Sequence, residues 1–226
     1  VDITVKDEEV KLVIGALLHD IGKVVYRQGQ DKRKHSQSGY DYLKEQIGLT
    51  DKEILNCVRY HHADGIKGAS ISEDDFAYIV YIADNIASAV DRRDKEEAES
   101  GFQIHTTMQP VFNLLNGNHG NMYYRPMMLN PDGEINYPVP MQGEFDEIQY
   151  NIILQNISDN LKGIEWNTEY VNSLLEVLEA NLSYVPSSTS KQEVADISLY
   201  DHLKLTAAAA SCIYAYLKGK DITDYK

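Results

Sequence analysis

Cysteine is nearly missing from this sequence: its 226 residues hold two, Cys57 and Cys212. Both fall in apolar runs with helical spacing. That excludes a disulfide framework or a cysteine-based metal site and leaves two reduced core thiols, as suits a reducing cytoplasm. Long apolar runs are missing too. No stretch approaches the roughly 18 consecutive apolar residues that a membrane span needs, and no charged-then-apolar segment opens the chain, so it reads as neither a membrane span nor a leader. Positive charge is scarce: 21 Lys and Arg stand against 35 Asp and Glu, a formal net charge of −14. This excludes a protein that holds nucleic acid through a broad basic face of its own, because neutralisation of phosphates by Lys and Arg dominates such binding. A polyanionic substrate would have to be met by bound cations, by a partner, or by the one concentrated basic stretch, Lys23, Arg27, Lys32, Arg33 and Lys34.

Apolar residues are ample. At 43% they suffice for the core of one large domain over residues 1–226, with an insertion carried on it. Valine at position 1 and the polar close from Lys218 to Lys226 suggest a piece of a longer protein.

The chemistry lies in histidine and aspartate. Leu18-His19-Asp20-Ile21-Gly22-Lys23 sets a His-Asp pair at the end of an apolar helical run, and His35, the doublet His61-His62 and Asp84 follow on or beside segments with helical spacing. Imidazole and carboxylate together suit first-row divalent ions, and more than four such ligands is what a two-metal site requires. Asp84 stands among apolar neighbours, where a carboxylate is costly to bury without a cation or hydrogen bonds. No Ser or Cys has a matching base and orienting partner, which disfavours a covalent enzyme.

Periodicity organises the chain as helices. Residues 8–26 read as helical, with Val10, Val13, Ile14, Leu17 and Leu18 on one stripe and an interruption near Gly22. A loop over 28–34 leads to a second helix ending near Gln46. Thr50 to Glu53 reads as a capping box for a third, and Ser72 opens a fourth with Phe76, Ile79, Val80, Ala83, Ala87 and Val90 as its core. Residues 92–100 form a charged linker. Over about 101–143 the helical period fades, and Met122 to Leu129 and Glu134 to Val139 read as two short strands around the turn Asn130-Pro131-Asp132-Gly133. His105 and His119 in this insertion read as exposed or locally bonded. Helices resume over 145–161, 167–184 and 198–218. The last carries Leu205, Ala209, Cys212, Ile213 and Tyr216 as its apolar stripe, with His202 on the same face and small residues that permit close packing.

The run Gly15 to Lys23, with the later His-His and Asp, resembles the HD-superfamily metal-dependent phosphohydrolases. In that family a further histidine, on a helix reading like Asp201-His202-Leu203-Lys204, precedes the His-Asp pair. Here the matching stretch, about 196–218, comes last, so the resemblance implies a mainly α, circularly permuted HD-superfamily domain with a small β-hairpin insertion. That order, the Asp196 to His202 string and the Tyr-rich insertion are similar to the N-terminal nuclease domain of the large signature subunit of type III-A (Csm) CRISPR effector complexes. The resemblance implies metal-dependent, endo- or exonucleolytic cleavage of single-stranded DNA in an antiviral complex with other subunits, crRNA and target RNA. Intact family proteins also carry palm domains with a Gly-Gly-Asp-Asp motif, which this sequence lacks, so nucleotide cyclisation is not expected of it. In the implied site Asp20 bridges two divalent transition ions (Mn, Fe, Co, Ni or Zn). His19, Asp84 and His202 bind one, and His35 with one or both of His61 and His62 binds the other. Lys23 stabilises charge in the transition state, and His62 is alternatively an orienting or proton-donating group. Two other readings share these residues: an HD phosphohydrolase acting on small nucleotides, and a silent structural module.

Overall fold

The computed structural model describes all residues except 1–3, 30, 92–99, 116–119, 130–132, 134 and 163–167. The charged linker at 92–100, the turn at 130–133 and His119 therefore lie largely or wholly outside the described residues. Helix α1 (Thr4–Leu18) is central. Leu12, Ile14, Ala16, Leu17 and Leu18 are all essentially inaccessible, so its second half is apolar all round rather than along one stripe. It packs against α4 (Lys52–Tyr60), α6 (Phe76–Asp91), α8 (Thr168–Leu182) and the last helix, α9 (Leu199–Lys218). Among the described residues no helix is long and apolar enough to cross a membrane.

Local sequence sets where the helices begin. The third predicted helix is capped one residue later than expected, by Asp51, whose carboxylate accepts from the backbone of Glu53 at 3.0 Å and Ile54 at 3.2 Å. With Asp51 as the cap, the third helical position is Ile54 rather than Glu53, so no capping box forms, and the Glu53 carboxylate pairs instead with Lys11, 2.5 Å away. Helix α6 starts at Phe76 rather than Ser72, since Asp75 accepts from the backbone of Ala77 and ends the preceding turn. Helix α7 (Glu147–Leu161) opens with a reciprocal Asp146–Gln149 capping box.

The interruption expected near Gly22 divides the run over 8–26 into two helices. After α1 the chain turns at 19–21 and restarts as α2 (Gly22–Arg27), which packs on α3 (His35–Asp41). A β-carbon on Gly22 would stand 1.8 Å from the His35 carbonyl oxygen and 2.7 Å from the Gly39 nitrogen. The two backbones touch there, and only glycine fits. Gly22→Ala should therefore drive α2 and α3 apart and cost about 3 kcal/mol or more. Thermal melts of this variant should show a large fall in midpoint, and an unchanged midpoint would refute the contact. Helix α3 runs into a π-helical turn, Tyr42–Ile47, closed by Gly48 at φ 82°.

The expected β-hairpin is absent: the described residues contain isolated bridges but no strand or sheet. Tyr123 and Val139 exchange one antiparallel pair of hydrogen bonds at 2.8 Å. The ladder stops there because the Asn136 side chain takes both the N–H and the carbonyl of Arg125, the groups a next rung would use. Other N–H groups are drawn elsewhere, Tyr124 to Met108 and Leu129 to Ala180, and Pro126 and Pro138 have none to offer. His105 is half-buried and bonded across the insertion rather than locally, its Nδ1 lying 2.6 Å from the carbonyl of the distant Phe145.

The inward face of α9 is also displaced from expectation. Leu199, His202, Leu203, Thr206, Ala207, Ala210 and Tyr214 are buried, while Leu205, Cys212 and Tyr216 face out. Cys212 is thus not a core thiol, whereas Cys57 is buried. The helix has apolar side chains on more than one side. Thr206, Ala207 and Ala210 on the inward side allow close approach to α1 and α6.

Candidate metal centre

Six elements deliver the predicted residues to one place. His19 and Asp20 occupy the turn that ends α1, His35 is the first residue of α3, and His61 ends α4. His62 precedes a short helix, α5 (Ala63–Gly68), Asp84 lies midway along α6, and His202 lies in the first turns of α9. A repeated local device orients two of the rings. The carbonyls at a helix C-terminus lack intrahelical partners, and His19 Nδ1 contacts the Ala16 carbonyl at 2.7 Å just as His61 Nδ1 contacts that of Val58 at 2.7 Å. With Nδ1–H donating there, the Nε2 lone pair of each ring points into the cluster.

Two groups result. In one, the ligating atoms of His19, Asp20, Asp84 and His202 all lie within 4.8 Å of one another; in the other, those of His35, His61 and His62 do. Asp20 joins the two. Its Oδ2 is 3.5 Å from His19 Nε2 and 3.4 Å from His202 Nε2. Its Oδ1 is 3.0 Å from His35 Nε2 and 3.5 Å from His61 Nε2. Asp84 closes the first group, 3.6 Å from His19 Nε2 and 3.2 Å from His202 Nε2. His35 Nε2 lies 3.3 Å from that of His61 and 2.8 Å from that of His62.

These spacings fit divalent ions. Two donors each about 2.1 Å from one ion at a tetrahedral angle stand about 3.4 Å apart, within the range seen around Asp20. His19 Nε2 and Asp20 Oδ1 are fully buried and make no well-aligned hydrogen bond. Lone pairs facing lone pairs in a buried pocket call for a cation between them.

Charge is already arranged for one. Burial would raise the Asp20 carboxyl, but the Lys23 ammonium, His19 and the facing His202 and His35 rings together hold it well below the usual carboxylate range. Burial likewise opposes ionisation of Asp84, and contacts from His19 and His202 outweigh it, so this carboxyl too is depressed. Burial lowers His35. His62 is pushed down to about 3, by burial first and then by the neighbouring His61 and His35. Both carboxylates are therefore ionised and both of these rings neutral near pH 7, the forms a metal binds.

Lys23 Nζ sits 2.5 Å from Asp20 Oδ2 and donates to the Ser187 carbonyl at 3.0 Å. Buried Arg27, for which the sequence offered no signal beyond its charge, donates to the carbonyls of Pro186 at 2.6 Å and Ser187 at 3.4 Å. The stretch at Pro186 and Ser187 is thus tied to α2. The rest of the basic stretch is largely matched by acids. Arg33 is clasped by Asp31 at 2.7 Å and Asp41 at 2.6 Å, and Lys34 pairs with Asp64. Its net field is smaller than its composition suggests.

Comparison with known proteins places this geometry. The family model described as HD domain matches residues 2–89. The CRISPR system single-strand-specific deoxyribonuclease Cas10/Csm1 (subtype III-A) of Streptococcus thermophilus is 38% identical over 228 residues, taking in 98% of this chain and 30% of that protein. The chain is an HD domain homologous to Cas10/Csm1. A protein of the same description from Mycobacterium tuberculosis is 36% identical over 245 residues, 96% of this chain and 30% of that protein. Csm1 in a solved Csm1–Csm4 subcomplex of the type III-A CRISPR-Csm interference complex matches with a TM-score of 0.67 at 25% identity, over 91% of this chain and 28% of that one. The chain spans about 30% of the length of the Cas10/Csm1 relatives it matches. The HD model stops short of His202, whereas the Cas10/Csm1 likeness takes in nearly the whole chain.

Proposed function

We propose that this chain is a metal-dependent nuclease module that hydrolyses single-stranded DNA within a type III-A CRISPR effector assembly. One observation carries the reading: a single buried carboxylate, Asp20, presents one oxygen to each of two groups of metal-ligand type. His19, Asp84 and His202 would hold one divalent ion and His35, His61 and His62 the other, with Asp20 shared. Mn, Fe, Co, Ni and Zn all suit such a donor set. Two such ions supply Lewis-acid neutralisation of the phosphodiester and acidify water near pH 7.

The chain's own residues do the rest. Asp20 and Asp84 contribute the negative charge that fixes cations in a buried pocket, and the helix-end carbonyls of Ala16 and Val58 hold two of the rings in register. Lys23, anchored between Asp20 and Ser187, places a fixed positive charge at the wall of the adjoining cavity, where the non-bridging oxygens of a phosphodiester would lie. His62, kept neutral because burial and the neighbouring His61 and His35 push it down to about 3, serves as a ligand rather than as the acid that protonates the leaving oxygen.

The partners follow from the same reading: a DNA strand, the remaining domains of a longer large subunit, and the other effector subunits with crRNA and target RNA. The cavity beside the site, about 500 Å³ in volume, sets Lys23 and Lys32 near aromatic Tyr26 and Phe102, groups suited to phosphate and to base.

Metal-depleted and metal-loaded chain, assayed side by side on single-stranded DNA, duplex DNA, RNA and mononucleotides, tests the proposal. Cleavage of single-stranded DNA that chelation abolishes and added divalent metal restores is the expected result. Turnover confined to mononucleotides would replace this reading with that of a small-nucleotide hydrolase, and no metal bound at all would overturn it.

A further inference from the structure

Phe102 is out of keeping with its position. It is 71% exposed, yet it lines the same cavity as Asp20, His35 and Asp84. Its neighbours along that wall, Ser187 to Ser190 and Glu193, are polar, so among the described residues of that wall no apolar cluster draws the ring in. Leaving a phenyl ring in water forgoes the gain from burying it.

The backbone beneath the ring is nonetheless pinned. Phe102 is bridged to Ser190, Gln103 N–H donates to the Thr189 carbonyl at 2.8 Å, and Lys191 N–H donates to the Gly101 carbonyl at 2.8 Å. Gly101, at φ 119°, makes the turn into this bridge in a conformation that other residues rarely adopt. The far end of the same loop is held to the candidate centre, because Lys23 spans Asp20 and the Ser187 carbonyl and Arg27 grips Pro186 and Ser187. Ser190 lies three residues from Ser187, so the bridge to Phe102 stands at most about 11 Å from the residue that Lys23 holds.

An exposed aromatic face on a hydrogen-bonded mount, in one cavity with Lys23 and Lys32, is the arrangement that binds unpaired nucleobases, since every base offers a flat face for stacking. Resting on the function proposed above, we infer that Phe102 is a strand-positioning residue: it stacks a base flanking the scissile phosphate and thereby favours single strands. A base within a duplex already has both faces covered and cannot use the platform without flipping. The placement also accounts for the ties through Lys23 and Arg27, which set the stacked base and the phosphate in one frame.

The test uses the full chain in chelator, so that binding is read apart from cleavage. A single-stranded oligodeoxynucleotide with 2-aminopurine at successive positions reports stacking by quenching of its fluorescence. The parent should quench one position selectively. Phe102→Ala should lose that quench and weaken strand binding by about ten-fold or more, Phe102→Trp should restore both, and the effect on loaded protein should fall on KM rather than kcat. Equal metal content of the parent and both variants checks that the site is intact. If Phe102→Ala binds and quenches like the parent, the platform is refuted while the nuclease reading stands. If the parent itself neither binds nor cleaves single-stranded DNA, the nuclease reading falls and the platform with it.

Discussion

Asp20→Ala should empty both groups of metal at once and reduce cleavage of single-stranded DNA by about a thousand-fold or more, equivalent to about 4 kcal/mol of transition-state stabilisation. The expectation rests on geometry. Each other candidate ligand faces one group, whereas the Asp20 carboxylate has its two oxygens divided between His19 and His202 on one side and His35 and His61 on the other. Asp20→Asn keeps the shape but loses the charge, and should resemble alanine in metal content more than in stability. Elemental analysis of purified variants, paired with single-turnover cleavage, decides the matter. A variant that keeps full metal and rate would exclude Asp20 as the shared ligand.

His202→Ala should have the second-largest effect, and a more selective one. It should weaken the first group by at least about 100-fold, since the loss of even an orienting neighbour of a ligand costs about ten- to a hundred-fold in affinity, and leave the His35, His61 and His62 group able to bind. The far-UV circular dichroism should stay that of the parent, because the small side chains that pack α9 on α1 and α6 are untouched. Titration with a spectroscopic divalent ion such as Co should fall from two sites to one. Two sites of unchanged affinity would show that His202 is a core residue only.

The residues of the candidate centre were legible because their side-chain chemistry is rare and their spacing follows the helices that carry them. His19, Asp20, His35, His61, His62 and Asp84 lie in the first part of the chain and could be grouped by eye. His202 needed the resemblance, because no local pattern links it to residues so far away. The hairpin failed through Asn136, whose side chain competes with the backbone for Arg125, a contest that alternation of apolar residues does not register. The inward side of α9 differs from the expected stripe because several of its sides carry apolar residues, and contact with α1 and α6 selects among them. The basic stretch read as a patch, but Arg33 and Lys34 spend much of their charge on Asp31, Asp41 and Asp64, partners brought near by folding. Phe102 carried no signal at all, since a single phenylalanine in a polar segment predicts burial as readily as exposure.

By itself, then, the sequence determined the helical class, the near-absence of thiol chemistry and the kinds of atom available to a metal, because propensity, period and side-chain identity are local properties. Only the tertiary structure decided that Asp20 stands between two groups, that α9 supplies the last imidazole, and that the loop at Ser187 to Ser190 ties Phe102 to the same pocket. Those are distances across the core between segments far apart in the chain. They are set by which helix faces pack most closely and which buried polar groups find partners, and no window along the chain contains them.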